Sequence, residues 1–348
     1  MIRTGPGFSV HLVPDAKKPN GLYDYVKSIE PASIICTDPA QACQLLDNAH
    51  EPSLRILILH FSGYGYATNG APLKLVRLLE QWRRASAHNR LLVVFHELFV
   101  NLPPWRKGFW WAPLQRHVLQ RLINCCDGGL STLERHSRWL RSHGLEPFAT
   151  LAVPSNVGET SEPLPLHQRS RQLLVFGGRS QRQAAHFALQ RHTELLARLG
   201  IRAIHDLGPP LDLPPSLAGL PLYSHGLLPV AQVAELLKQT QLAAVSYPLS
   251  FLAKSGIFAA ICAHGALPLV LNAGRTEKAQ ADGLRAGLTY ITPAWVQAQP
   301  DASAAVSADQ RIATAAWQWY QLHRLSEQRR QFQAWISAPR EGLQVPLL

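Results

Sequence analysis

Short apolar runs alternate along this chain with stretches whose apolar residues recur every three or four positions. In the first half Phe8–Val13, Ala32–Thr37, Arg55–Phe61, Arg90–His96 and Asp127–Thr132 read as strands. Between them GLYDYVKSI, AQACQLLDNA, APLKLVRLLEQWRRAS, PLQRHVLQRLINC and LERHSRWLRSHG read as helices. In the third of these, Leu73, Val76, Leu79 and Trp82 fall at helical spacing, with Lys74, Arg77 and Arg84 on other faces. The segment Val153–Arg171 has no periodicity and is rich in Pro, Ser and Glu, which suits a linker. The rhythm then restarts with strands at Gln172–Gly178, Ile201–Gly208, Leu242–Pro248 and Ala266–Asn272, and a short strand with a turn in LPLYSHG. Helices are expected at Gln183–Leu199, in VAQVAELLKQT, at Ser255–His264 and, as one long element, at Ala313–Ile336.

Short strands separated by helices predict βα units and mostly parallel sheets. The expected class is α/β, with two Rossmann-like doubly wound domains facing a central cleft. The division places the first domain at 1–155, a linker at 156–171, the second domain at 172–310 and a terminal helical segment at 311–348. In such sheets ligands bind at the carboxyl ends of the strands, so each half offers one edge for a ligand.

With 348 residues and 47% hydrophobic positions, the chain can bury two cores, and global disorder is excluded. The formal net charge of +11 favours an anionic partner. Five cysteines without a CxxC pattern support neither a zinc site nor a disulfide framework. The opening MIRTGPGFSV lacks the apolar run of a signal peptide, and no apolar stretch approaches the length of a membrane span. The expected location is the cytoplasm, with attachment to the inner membrane face as an open alternative.

The second half carries the anion-binding candidates. In LAAVSYP-LSFLAKSG-IFAAICAHG, Ser255 suits a helix N-cap, Gly256 permits close approach, and Lys254 adds a positive charge beside free helical amides. In FGGRSQR, Gly177 and Gly178 give a tight turn from strand to helix, and Arg179 and Arg182 stand at the helix start, where forked donors could clamp a diphosphate. Each feature is also what an ordinary capped or basic helix start looks like. There is neither a GxxxxGK[ST] nor a GxGxxG at a strand–helix junction. His225 in YSHG could meet a phosphate or base, or be a plain turn residue, and Glu277 near a strand end could bind ribose hydroxyls.

In the first half, HFSGYGYATNGAP is a glycine-punctuated loop after a strand. Gly63 and Gly65 allow close approach, and Tyr64 and Tyr66 offer flat faces for sugar rings or pack as a surface turn. His96 and Glu97 end the next strand, either working together on a substrate hydroxyl or facing apart. Trp105, Phe109, Trp110 and Trp111 sit among Arg106, Lys107, Arg116 and Arg121, a mixture suited to a bilayer interface or lipid-linked acceptor. It would also suit single-stranded nucleic acid, which is ranked last among the partners, or packing of the loop on its own core.

Taken in order, LHFSGYGYATNGAP, VVFHELF, PPWRKGFWWAPLQRHVLQRL, VPSNVGE, LLVFGGRSQR and LAKSGIFAAICAHGALPLV resemble a bacterial GT-B glycosyltransferase, similar to the retaining family 4 enzymes. The resemblance implies an acceptor-binding first half, a donor-binding second half, and a terminal helix that packs back across the domain junction. It implies transfer of a sugar from a nucleotide-diphosphate donor to a glycan or lipid-linked acceptor in cell-surface polysaccharide synthesis. A noncatalytic GT-B binding protein and a sugar-nucleotide epimerase are the alternatives. Arg179, Lys254, Ser255 and Gly256 would hold the donor diphosphate, and His96 and Glu97 would lie near the acceptor or transferred sugar. Many family members carry two glutamates eight positions apart around the donor helix; Leu252 and Ala260 stand there in this chain. No DxD occurs, so the expected reaction uses no metal clamp of that kind and no cofactor.

Overall fold

A computed structural model describes residues 8–14, 21–49, 54–100, 103–271, 282–299 and 302–339. The chain divides into two compact units, one formed by residues 1–151 and 328–348, the other by 152–327.

The first unit runs β1 (Phe8–Leu12), α1 (Gly21–Ile29), β2 (Ile34–Cys36), α2 (Pro39–Asp47), β3 (Arg55–Phe61), α3 (Gly63–Tyr66), α4 (Leu73–Ala85), β4 (Asn89–Phe95), α5 (Ala112–Cys125), β5 (Gly128–Ser131), α6 (Glu134–Arg141) and β6 (Ala149–Thr150). Its parallel sheet has the order β2-β1-β3-β4-β5-β6. One face of the central strands carries Val10, Leu12, Leu57, Leu59, Phe61, Leu91, Val93 and Phe95 into a core shared with α2, α4 and α5. The opposite face of the same strands carries His11, His60 and His96, all buried. Two-residue periodicity makes both statements follow from the same alternation.

The second unit runs β7 (Ser170–Phe176), α7 (Arg179–Gln190), α8 (Thr193–Arg198), β8 (Ala203–Leu207), β9 (Ser216–Leu217), β10 (Leu220–Ser224), α9 (Val230–Gln239), β11 (Thr240–Val245), α10 (Gly256–Ala263), β12 (Leu267–Val270), α11 (Pro293–Gln297) and α12 (Ala302–Gln321). Its order, β12-β11-β7-β8-β10-β9, is parallel except for the small β9–β10 hairpin, which the sequence pattern did not anticipate. The strand order reverses between β7 and β11, and that is where ligands bind in open α/β sheets.

The expected linker differs from what the structure holds. Residues 152–171 are hydrogen-bonded into the second unit: Val153 N donates to Ala253 O (3.0 Å) and Thr160 N to Ala263 O (3.1 Å). Arg169, buried, donates from Nε to Leu164 O and from Nη2 to His264 O, fixing the strap along α10.

Two expected long helices are each broken. Gln183–Leu199 is the end of α7 plus α8, interrupted at Arg191 and His192. The terminal helix is α12 followed by α13 (Leu325–Ser337). At that break Glu159 accepts from both Leu325 N and Tyr320 Oη at 2.7 Å, anchoring the turn from which the chain passes back into the first unit.

Candidate functional site

In the second unit, the two anion-binding candidates open the helices on either side of the reversal in strand order. Gly178 is the N-cap of α7, with Arg179 as the first helical residue. Gly177 has φ +115°, and a Cβ there would overlap Ile257 Cδ1, so the start of α7 lies against the first turn of α10. Ser255 caps α10: its Oγ accepts from Phe258 N at 3.2 Å, and the side chain is buried. Lys254, half-buried, ends the 3-10 turn Leu249–Lys254 that leads into this cap. The first turns of two adjacent helices, one opening with Arg179 and the other preceded by Lys254, suit a phosphate-bearing ligand.

Arg179 is exposed, and its Nη2 donates to Pro210 O at 2.6 Å. Arg182 does not join it. Its side chain is fully buried in an ion pair with Asp206 (2.5 Å), and its Nη2 also donates to the Pro209 carbonyl. Asp206 further binds His186 Nε2 at 2.7 Å. One turn of helix rotates Arg182 toward the sheet, so of the two arginines expected at the helix start only Arg179 stays exposed. The two positions where the resemblance places glutamates, Leu252 and Ala260, are 1% and 0% exposed, so no polar contact to a sugar or ribose is made from them.

His225 is exposed and its Nε2 lies 2.8 Å from His205 Nδ1. Burial, then His225, pushes the His205 pKa below its ordinary value. Glu277 lies outside the described residues.

In the first unit the glycine loop is the short α3. Tyr64 is exposed, and its hydroxyl accepts from Gln115 Nε2 at 3.2 Å. Tyr66 is not a stacking platform: its hydroxyl donates to Leu12 O (3.0 Å), and burial raises its pKa well above the phenolic value. The close approaches that Gly63 and Gly65 permit are to this chain itself, since a Cβ on Gly63 would overlap Gly70 O and one on Gly65 would meet Pro14. His96 and Glu97 face apart. Glu97 is exposed and accepts from Ser62 Oγ at 2.7 Å. His96 is 3% exposed and lies 3.0 Å from His60 Nδ1 through its Nε2, so of the two arrangements open to this pair the structure holds the one in which they face apart, with the histidine buried and hydrogen-bonded.

His60 is the residue the sequence reading overlooked. Its Nε2 lies 2.9 Å from His11 Nδ1, its Nδ1 lies 3.0 Å from His96 Nε2, and His11 Nε2 lies 2.8 Å from Glu30 Oε2. A single histidine inside each of three apolar strands was the available signal.

In the aromatic loop, Trp105, Trp110 and Trp111 are 81%, 72% and 45% exposed, while Phe109 is half-buried. Arg116 lies over the Phe99 ring at 4.7 Å. No helix among the described residues is long and apolar enough to cross a membrane, and no group of three or more His, Cys, Asp or Glu among them is placed to hold a metal ion.

No family model matches this chain, and no curated protein matches it in sequence. Its fold matches solved structures. An alpha-glucosyltransferase in complex with UDP-glucose and DNA containing an abasic site superposes with TM-score 0.53 and 10% identity, over 94% of this chain and 98% of that one. A GtfA/B complex gives TM-score 0.53 at 11% identity, over 89% of this chain and 62% of that one. A putative UDP-N-acetylglucosamine 2-epimerase from Listeria monocytogenes gives 0.51 at 13%, over 98% of both chains. At these identities the likeness concerns architecture: the chain has the α/β GT-B fold, with two Rossmann-like units.

Proposed function

We propose that the protein is a glycosyltransferase that uses a nucleotide-diphosphate sugar. The observation that carries this reading is the pair of adjoining helix starts, Gly178–Arg179 and Ser255–Gly256, at the reversal in strand order of the second sheet, with Lys254 beside them. The structural neighbours named above include UDP-glucose in one case, which supports a nucleotide sugar over a free phosphate.

Transfer breaks the bond between the sugar's anomeric carbon and the diphosphate. Negative charge grows on the leaving phosphate oxygen and positive charge on the sugar. Arg179 and Lys254, with the α7 and α10 amides, stabilise the departing diphosphate. In a retaining, front-side reaction that same phosphate oxygen accepts the proton of the acceptor hydroxyl, and no strong protein base is required. In an inverting reaction Glu97 is the base to test, since it is exposed while His96 is buried. The segments after β3 and β4, which bear Tyr64 and Glu97 and are joined by the Ser62–Glu97 hydrogen bond, would receive a glycan or lipid-linked acceptor, in cell-surface polysaccharide synthesis. The exposed tryptophans would hold the protein at the lipid surface.

A second reading is favoured by the epimerase likeness over nearly the whole chain: chemistry on the donor alone, with no acceptor. A thermal-shift screen with UDP-, GDP-, ADP- and CMP-linked sugars tests the shared donor site, since ligand binding raises apparent stability by mass action. The expected result is a shift with one nucleotide, abolished by Lys254→Ala. No shift with any of them sinks both readings. Release of nucleotide diphosphate only when acceptor is present then separates transferase from epimerase. Tight, steeply salt-dependent binding to DNA without nucleotide-sugar turnover would point instead to a nucleic-acid partner.

A further inference from the structure

The first sheet buries a straight line of imidazoles. In the parallel register His11 stands opposite Ile58, two residues before His60, and His60 stands opposite Val94, two residues before His96. A step of two keeps every side chain on the same face, so the three rings form a diagonal across β1, β3 and β4. Ring centroids are 5.2 and 5.3 Å apart with planes tilted by 24° and 25°. The nitrogen–nitrogen distances of 2.9 and 3.0 Å are the closest approaches that matter: added to the ring radii they account for these separations, so the rings meet nitrogen to nitrogen.

We propose that Glu30, His11, His60 and His96 form one proton row, in which the Glu30 carboxylate sets the tautomer of all three rings and holds His96 with Nδ1 as its proton-accepting nitrogen. The argument is one of counting. A neutral imidazole has one N–H and one lone pair. A carboxylate only accepts, so His11 must donate to it from Nε2, which leaves His11 Nδ1 as an acceptor. His60 then donates from Nε2 and accepts at Nδ1, and His96 donates from Nε2. The order at the last ring is thus fixed by a carboxylate two rings away.

The same connectivity moves a proton without leaving charge on a ring. A proton arriving at His96 Nδ1 releases the one on Nε2 to His60 Nδ1. His60 passes its Nε2 proton to His11 Nδ1, and His11 passes its own to Glu30. One proton has then been transferred: three neutral Nδ1–H rings remain, and Glu30 is a carboxylic acid. Glu30 is 22% exposed, so it can exchange that proton with water; a proton taken up again at Glu30 runs the same steps backwards, leaves from His96 Nδ1 and restores the three Nε2–H rings.

The surroundings keep the row dry. His11, His60 and His96 are 1%, 0% and 3% exposed. On α1, Tyr25 stands edge-on to His60 and His96, and burial raises its pKa above the phenolic value. On α13, Phe332 covers His11, Gln333 Nε2 donates to Glu30, and Arg329 is held by the Ser28 carbonyl. From α3, the Tyr66 hydroxyl meets the His60 carbonyl. Burial, reinforced by His11 and His96, drives the His60 pKa well below its ordinary value. At Glu30 burial pushes upward, but its hydrogen-bonding partners, His11 first and then Gln333, outweigh it, so the group lies below its ordinary value and is ionised at neutral pH. The row rests on this geometry and not on the transferase reading.

The test is nitrogen NMR of the full-length protein, labelled with heavy nitrogen in its histidine rings, at neutral pH. The expected spectrum shows all three rings as neutral Nε2–H tautomers. Glu30→Leu removes the terminal acceptor and is expected to turn the signals of all three rings into tautomer mixtures, His96 included. An imidazolium or an Nδ1–H tautomer on any of the three in the wild type overturns the proposal, and so does an unchanged His96 signal in Glu30→Leu. Should that variant fail to fold, Glu30→Gln keeps an oxygen acceptor without the charge. A smaller displacement of the same three signals in the same direction is then expected, and no displacement at His96 overturns the row.

Discussion

Two arginines three positions apart show how little charge alone says about role. Arg179 is exposed at the first position of α7, whereas Arg182, one turn on, is buried against Asp206. Arg182→Ala leaves Asp206 as a buried carboxylate without its guanidinium partner, and breaking such a pair costs about 3–5 kcal/mol. The expected outcome is a large fall in Tm, whether or not a nucleotide is present. Arg179→Ala removes an exposed group, so stability is expected to change by no more than about 0.5 kcal/mol. Calorimetry should instead show binding of the nucleotide diphosphate weakened about tenfold or more, the loss of a charge-assisted contact. Equal affinity in Arg179→Ala would remove this residue from the site.

At the scale of elements, the start of α10 joins stability to binding through one residue. Ser255 Oγ accepts from Phe258 N and orients the first turn whose amides face the proposed diphosphate. Ser255→Ala is expected to lower stability by about 1 kcal/mol, read by denaturant midpoint, and Ser255→Asp to restore most of it. This cap was legible in the sequence because Ser-Gly after a strand and a short loop admits few other structures. The alternation of strands and helices was legible for the same reason. The breaks at His192 and at His323 were not, because both lie inside continuous helical periodicity, and the second depends on Glu159, far away in the chain. The histidine row shows the limit most clearly. Each of FSVHLV, RILILHF and VVFHELF displays one histidine, but whether three such residues touch is decided by strand register, which no single strand carries. Tyr66 and Tyr64 likewise look equivalent two positions apart, until the helical turn of α3 sets them on nearly opposite sides and turns Tyr66 inward.

At the scale of the whole molecule, charge and titration set the working conditions. The net charge of +11 and the exposed Trp105, Trp110 and Trp111 fit an anionic lipid surface together. Replacing Trp110 and Trp111 by Ser is expected to reduce binding to anionic vesicles several-fold in a sedimentation assay while leaving Tm unchanged. Binding equal to that of the wild type would make the loop a bystander. Stability against pH carries two opposed contributions within the second unit. Burial lowers His264 and His323 from 6.5 to about 4, so below pH 6.5 the unfolded chain binds more protons and stability falls as the pH drops toward 4. Burial raises Asp309 from 3.8 to about 7, so the folded chain holds an extra proton between those values and stability falls as the pH rises through them. Each histidine contributes on the order of 3 kcal/mol, so about twice that together, and Asp309 about 4 kcal/mol over its full span. From pH 4 to 6.5 they work against each other, which flattens the wild-type profile. Asp309→Asn removes the acidic group and leaves the histidines. The variant is therefore expected to match the wild type near pH 4, to gain Tm steeply as the pH rises to 6.5, and to keep its advantage above pH 7. A difference between the two proteins that does not change with pH would show that Asp309 ionises in the folded state as freely as it does in the unfolded chain.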